Sequence, residues 1–282
     1  MPELPRLPAV ASLPLSVVLL ARNQASQLEA ILTSWVAFLN GLDRDYEVIV
    51  VDDGSTDGTS EFIEKGSANN QRVNLLRHPS PRGEGAALRT GLAAAQYPLV
   101  FYTLCHPNYQ PANLGRFLQK RTNPQKPDLE IDHVHLMSAA RGGRLIPLPW
   151  RIVGQGWRLF CRILFTQAPA RLPGWLGWQR HLGAFLARLF FGVRYHDVGC
   201  PFRLLRREIL PRLPLQSDGP FAHVELMAKA NYLGLVMGEE ILLEPGHYPA
   251  LDHEMSREER RQLFHEAWRV IRHPEFGSAK MI

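Results

Sequence analysis

Cysteine is scarce in this 282-residue chain, which has only Cys105, Cys161 and Cys200. Their odd number and scattered placement exclude a disulfide framework and a paired zinc spacing, and point to a reducing compartment. Long apolar runs are also missing. The longest stretch without Asp, Glu, Lys or Arg runs from Thr90 to Gly115, and Pro98, Pro107 and Pro111 interrupt it, so it does not read as a membrane span. The opening residues Met1 to Arg6 lack a basic region and are broken by proline, so no signal peptide is expected. Acid is absent over one long segment. From His133 to His196 there is no Asp, Glu or Lys, yet there are nine arginines, Arg141 among them, and four of the six tryptophans. That block carries +9 in a chain of net +5, so the remainder is −4. A hydrophobic share of 45% with 21% charged residues excludes a disordered chain and leaves enough apolar residues for a sizeable core.

The first half alternates two periodicities. Leu15 to Ala21, Tyr46 to Val51, Val73 to Leu76 and Leu99 to Thr103 are short apolar runs that suit buried strands. Between them, Ser26 to Leu39, Thr59 to Lys65 and Gly83 to Ala95 have helical spacing. Strand–helix alternation of this kind predicts an α/β fold with a mostly parallel sheet, whose ligands bind at the carboxyl ends of the strands. That rule selects Ala21 to Gln24, Asp52 to Asp57 and Leu104 to His106. Further on, Lys120 to Asp132 reads as a loop and Leu136 to Ala140 as a strand. Trp150 to Phe165 and Trp175 to Phe191 read as helices. An extended segment follows Asp197, then a helix near Phe221 to Tyr232, a strand near Leu235 to Leu243 and a charged helix from Arg257 to Ile271. The acids and arginines of that last helix read as an ordinary solvated face. The implied organisation is an extension over 1–13, a main domain over 14–250 with the Arg/Trp helices at 150–191, and a helix and tail over 251–282.

The Asp52-Asp53-Gly54-Ser55-Thr56-Asp57 turn after a buried strand is the most informative motif. Its carboxylates suit a base or ribose, and glycine lets the chain turn closely around a nucleotide. A plain tight turn with a helix cap reads equally well from these residues alone. The order of motifs is more telling. Ser16 to Gln24 is followed by YEVIVVDDGSTDGT at Tyr46 to Thr59, then Gly83-Glu-Gly-Ala-Ala-Leu-Arg-Thr-Gly91, then Asp197-Val-Gly-Cys-Pro-Phe-Arg203. This series resembles family 2 glycosyltransferases, specifically the dolichyl- or polyprenyl-phosphate hexosyltransferase branch.

The resemblance implies a GT-A fold, like that of nucleotide-diphospho-sugar transferases. It implies a nucleotide-sugar donor and a polyprenyl-phosphate or other lipid-phosphate acceptor. It also implies nucleotide contacts from Ala21, Arg22, Gln24, Asp52, Asp53 and Arg82, with Gln24 standing where glutamate is usual. Arg141 is placed near the diphosphate. Asp197 and Arg203 fall near the acceptor phosphate and are candidate catalytic residues, with His247 and Glu225 on the acceptor side. Cys200 reads as structural, and His223 stays ambiguous.

Three departures stand out. The family's metal-binding Asp-x-Asp is replaced by Leu104, Cys105 and His106. Mg²⁺ and Mn²⁺ prefer hard oxygen ligands, so metal binding is expected to be weak or absent, with His106 the solitary candidate ligand. Glu84 stands where lysine usually faces the phosphates, and would repel them. Ala250 stands where arginine often follows the His-Tyr-Pro. Arg82, Arg89 and Arg141 are candidates to stabilise the diphosphate instead.

The Arg/Trp block suits an anionic membrane interface, because apolar residues and arginines alternate without any acid. Plain packing on the sheet competes with that reading. Nucleic acid is not an expected partner, since no reader motif is present. The expectation is a peripheral protein of the cell envelope, on the cytoplasmic face of the membrane. There it would transfer a hexose, with a membrane-protein partner as a further candidate. The alternative is a catalytically impaired relative that binds nucleotide, lipid phosphate or a partner enzyme.

Overall fold

Leu15–Ala21 (β1) and Tyr46–Asp52 (β2) are buried at every position, as strands covered on both faces require. They anchor a seven-stranded sheet in the computed structural model, which describes residues 10, 12–68, 70–119, 122–123, 126–130, 134–141, 192–193, 195, 197–243 and 257–277. β1 pairs in parallel with β2 on one side and with β4 (Leu99–Leu104) on the other, and β2 pairs in parallel with β3 (Val73–Arg77). Helices α1 (Ala25–Asn40), α2 (Thr59–Ala68) and α3 (Glu84–Ala94) make the crossovers. The chain therefore runs outward from β1 to β3, then returns across β1 to β4. That reversal opens a crevice between the carboxyl ends of β1 and β4, where α/β sheets bind ligands.

After α4 (Pro111–Gln119) come the short strands β5 (Thr122–Asn123) and β6 (Lys126–Glu130), then β7 (Leu136–Arg141), β8 (Phe202–Arg206) and β9 (Met237–Leu243). The sheet order is β3-β2-β1-β4-β8-β7-β9. β8 is antiparallel to both β4 and β7, while β9 is parallel to β7. This arrangement brings the carboxyl ends of β7 and β9, and the residues just before β8, to the same edge as the carboxyl ends of β1, β2 and β4. Alternate side chains of each central strand feed two cores. Val17, Leu19 and Phe101 pack with α1 and α4 through Trp35 and Phe117. Val18, Leu20 and Tyr102 pack with α3 and α5 (Phe221–Tyr232) through Leu88 and Leu226.

The structure departs from expectation in three places. Lys120 to Asp132 is not all loop, because β5 and β6 pair antiparallel as a separate small sheet. α4 has no sequence counterpart. Pro111 occupies its first position, where a missing N–H leaves nothing unsatisfied, and Leu114, Phe117 and Leu118 are buried at helical spacing. In the closing helix α6 (Arg257–Arg272), Glu266, expected on the solvated face, is buried beside Val270. The helices expected over Trp150 to Phe165 and Trp175 to Phe191 lie outside the described residues. Among the described residues, no helix is long and apolar enough to cross a membrane.

Candidate functional site

A cavity of about 220 Å³ opens at the switch point between β1 and β4. It is lined by Ala21 at the end of β1 with Arg22 and Gln24 beyond it, Asp53 after β2, Glu84 and Ala87 of α3, and Leu104, Cys105 and His106 at the end of β4. A larger cavity of about 580 Å³ lies at the opposite sheet edge, among Leu13, Pro98, Arg206 and Pro211. Size alone would select that one. Its ionisable lining is confined to Arg206, Arg207 and Glu208 around β8, and it sits at the amino ends of the parallel strands, away from the edge where such sheets bind ligands, so the switch-point cavity is the candidate site.

The adjacent carboxylates Asp52 and Asp53 have separate roles. Asp52 is fully buried, and its oxygens accept from the hydroxyls of Ser55 and Ser60 and from the Ser55 N–H at 3.1 Å. It builds the turn and is not among the residues lining the cavity. Asp53 does line it. Its carboxylate accepts from the backbone N–H groups of Arg82 and Gly83, each at 2.8 Å, and faces His78 Nδ1 at 2.8 Å. The other ring nitrogen of His78 sits 2.9 Å from Thr90 Oγ1. Asp53 thus pins the approach to α3 at the cavity wall. Nothing in the sequence singled out His78 beyond its place directly after β3. The Gly54 turn is close-packed as well. Its φ is +66°, and an added Cβ would lie 2.5 Å from Pro81 N.

Glu84 reaches the cavity with its carboxylate secured from behind. His223 Nε2 is 2.7 Å from Glu84 Oε1, and His223 Nδ1 is 3.2 Å from the Tyr102 hydroxyl. Tyr102 in turn accepts from Arg203 Nη1 at 3.1 Å. Burial pushes the Tyr102 hydroxyl up to about 12, against the pull of the Arg203 charge, so it stays protonated and can donate to His223. Arg203, Tyr102, His223 and Glu84 therefore form one continuous chain of polar contacts ending at the cavity.

Arg203 itself does not reach the cavity. It is fully buried, donating to Ser138 Oγ, the Tyr102 hydroxyl and the backbone oxygens of His223 and Val198. Its guanidinium instead holds the backbone at Val198, the residue next to Asp197. Glu225 departs in the same way. It is fully buried, pairs with Lys229 at 2.7 Å and accepts from the N–H groups of Gln216 and Ser217. Arg89 is also committed, to Asp218 and to the backbone oxygens of Leu215 and Ser217. Asp197 is half-buried, and its N–H donates to Glu239 Oε1 at 2.9 Å. Arg82 and Arg22 are exposed beside the cavity. The Arg141 side chain, His247 and Ala250 lie outside the described residues, although the Arg141 backbone ends β7 at the carboxyl edge.

The residues after β4 do not suit a hard divalent cation. Leu104 has no donor, and burial pushes the Cys105 thiol up to about 12, so it remains protonated. Burial lowers His106 below the usual histidine range, so its ring is neutral at pH 7. His106 Nδ1 accepts from the Asn108 N–H at 3.3 Å, an arrangement that favours the tautomer with the proton on Nε2, where it can donate a hydrogen bond. Among the described residues no cluster of three His, Cys, Asp or Glu could hold a metal.

Comparison with known proteins agrees with this geometry. The chain is 34% identical over 91 residues to a dolichyl-phosphate beta-glucosyltransferase of Dictyostelium discoideum, covering 29% of this chain and 27% of that protein. It is 36% identical over 87 residues to an undecaprenyl-phosphate 4-deoxy-4-formamido-L-arabinose transferase of Aeromonas hydrophila, covering 30% and 26%. These matches span about a quarter of the relatives' own length. Among solved structures, mannosyl-3-phosphoglycerate synthase of Rubrobacter xylanophilus superposes with a TM-score of 0.60 at 17% identity, over 92% of this chain and 73% of that one. Glucosyl-3-phosphoglycerate synthase of Mycobacterium tuberculosis, solved with Mn²⁺, UDP-glucose and phosphoglyceric acid, also gives 0.60, at 20% identity over 95% and 83%. At such identities these two likenesses establish the GT-A fold and nothing finer. The Glycosyl transferase family 2 model matches residues 16–213, well over half of the chain, and the protein belongs to that family.

Proposed function

We propose that the protein transfers a hexose from a nucleotide sugar to a polyprenyl phosphate, acting peripherally at the cytoplasmic face of a membrane. The observation that carries this reading is the cavity at the β1–β4 switch point, walled by Asp53, Gln24 and Glu84. Its volume is below the roughly 300–1,000 Å³ of a site for a whole drug-sized ligand. It suits the nucleoside, with the sugar and diphosphate extending past His106 toward Asp197. The names of the relatives support a lipid-phosphate acceptor.

In the proposed step an acceptor phosphate oxygen bonds to the anomeric carbon while the bond from that carbon to the donor diphosphate breaks. The attacking phosphate is already ionised, so no strong general base is needed. The leaving diphosphate gathers negative charge. In this reading Arg22 and Arg82, exposed beside the cavity, and Arg141 offset it, and the neutral His106 adds a hydrogen bond. Asp197 orients the acceptor or a sugar hydroxyl. Arg203 positions that segment through its bond to the Val198 backbone oxygen.

Calorimetric titration with uridine and guanosine diphosphate sugars tests the donor site. Wild-type protein should bind at least one of them. Asp53→Ala should weaken that binding at least tenfold, about 1.4 kcal/mol, because the wall formed by Arg82 and Gly83 loses its anchor. Equal affinity in the variant would place the donor elsewhere.

A further inference from the structure

The closing helix α6 has two chemically opposite faces. Its inner face is anchored. Glu266 accepts from the Gly219 N–H at 2.8 Å, Arg269 donates to the Gln216 backbone oxygen at 2.8 Å, and Val270 is buried against the body. Its outer face carries Arg261, Phe264, His265, Trp268 and Arg272, whose spacing places them on one stripe. All five are exposed, Phe264 at 70% and Trp268 at 55%. The Arg272 guanidinium lies over the Trp268 ring, 4.6 Å from its centre. The one acid between Arg261 and Arg272 is Glu266, and it points inward.

From this stripe we infer a docking surface for an anionic lipid bilayer. Aromatic rings flanked by arginines, with no acid among them, match the chemistry of a membrane interface. The rings enter at headgroup depth and the guanidinium groups meet lipid phosphates. A second copy of the chain is a poorer occupant. A two-fold pairing along the stripe would set Arg261 of one copy against Arg272 of the other, like charge on like. The location supports a lipid partner too. The segment that α6 clamps, through Gln216 and Gly219, also receives the start of α3. Asp218 O accepts from the Gly85 and Ala86 N–H groups at 2.7 and 3.1 Å, directly after Glu84 of the cavity. Docking α6 on a bilayer therefore leaves α6 itself and the 216–219 segment between the lipid headgroups and the start of α3. The purpose of that placement rests on the proposed transfer to a lipid-linked acceptor, whereas the surface itself is read from the stripe.

Vesicle co-sedimentation at low salt tests the inference. Wild-type protein should sediment with phosphatidylglycerol-containing vesicles and stay largely in solution with pure phosphatidylcholine. Phe264→Ser/Trp268→Ser should lose at least tenfold in vesicle affinity, and Arg261→Gln/Arg272→Gln should lose the preference for anionic lipid. Both variants should keep the wild-type melting temperature and nucleotide affinity, because the substituted side chains are exposed and lie away from the cavity. The inference is overturned if wild-type protein ignores anionic vesicles, or if the serine variant binds them as wild type does. It is equally overturned if sedimentation equilibrium shows a dimer that the serine substitutions dissociate. Loss of nucleotide binding in the wild-type protein would instead strike the proposed activity and leave the vesicle result standing.

Discussion

Glu225 and Lys229 stand four residues apart on α5, 2.7 Å from each other, and both are buried. A pair at that spacing looks in sequence like any solvent-exposed helical ion pair, so its burial was not legible there. The family resemblance instead suggested an acceptor-side role for Glu225. The two roles separate by measurement. Removing one partner of a buried pair leaves an uncompensated charge, so Glu225→Ala should destabilise the fold by about 3–5 kcal/mol in urea denaturation. A variant with wild-type stability and impaired transfer would restore the acceptor role. Arg203 shows the same limit, since a candidate phosphate ligand and a buried scaffold arginine are spelled alike. Asp53 and Asp52 show it within one dipeptide. The motif located the turn, but only the packing of Ser55 and Ser60 around Asp52 decided which carboxylate faces the cavity. The Glu84 expectation also shifts at this scale, because the carboxylate that would repel phosphate is tied to His223 and fixed in the wall.

At the scale of elements, the central strands and α1 were readable because full burial on both faces leaves unbroken apolar runs, and one-sided packing leaves the 3.6-residue rhythm. β1, β2, β3 and β4 fall within a residue of where those runs end. The elements that were missed lack such a signature. α4 is only nine residues long and begins with a proline, and the β5–β6 hairpin belongs to a two-stranded sheet outside the main one. The junction of α3 with the 213–219 segment depends on a glycine whose reason is invisible in sequence. A Cβ on Gly85 would stand 2.4 Å from Ser217 O and 2.7 Å from both Gly219 O and Ala222 Cβ. Two of these neighbours are backbone atoms held by Glu225 and Glu266, so they have little freedom to move. Gly85→Ala should therefore cost about 1–3 kcal/mol of stability and weaken nucleotide binding, since α3 must shift at Glu84. Wild-type melting and binding in this variant would mean the segment gives way easily.

For the whole molecule, charge distribution and topology point the same way. The arginines of the +9 block begin with Arg141, the last residue of β7, on the edge that bears the cavity. The block's interior lies outside the described residues, and its expected interfacial role stays a proposal beside that of α6. The sheet order explains how the end of β7 and the Asp53 cavity share one edge although they are far apart in sequence. No spacing rule could have supplied that proximity. The most direct test of the account is a turnover assay with the purified full chain, a panel of nucleotide sugars and polyprenyl phosphate in mixed micelles, with and without EDTA. The account predicts hexosyl transfer to the lipid phosphate that persists in EDTA. No transfer from any donor, by protein that is folded and binds nucleotide, would contradict it.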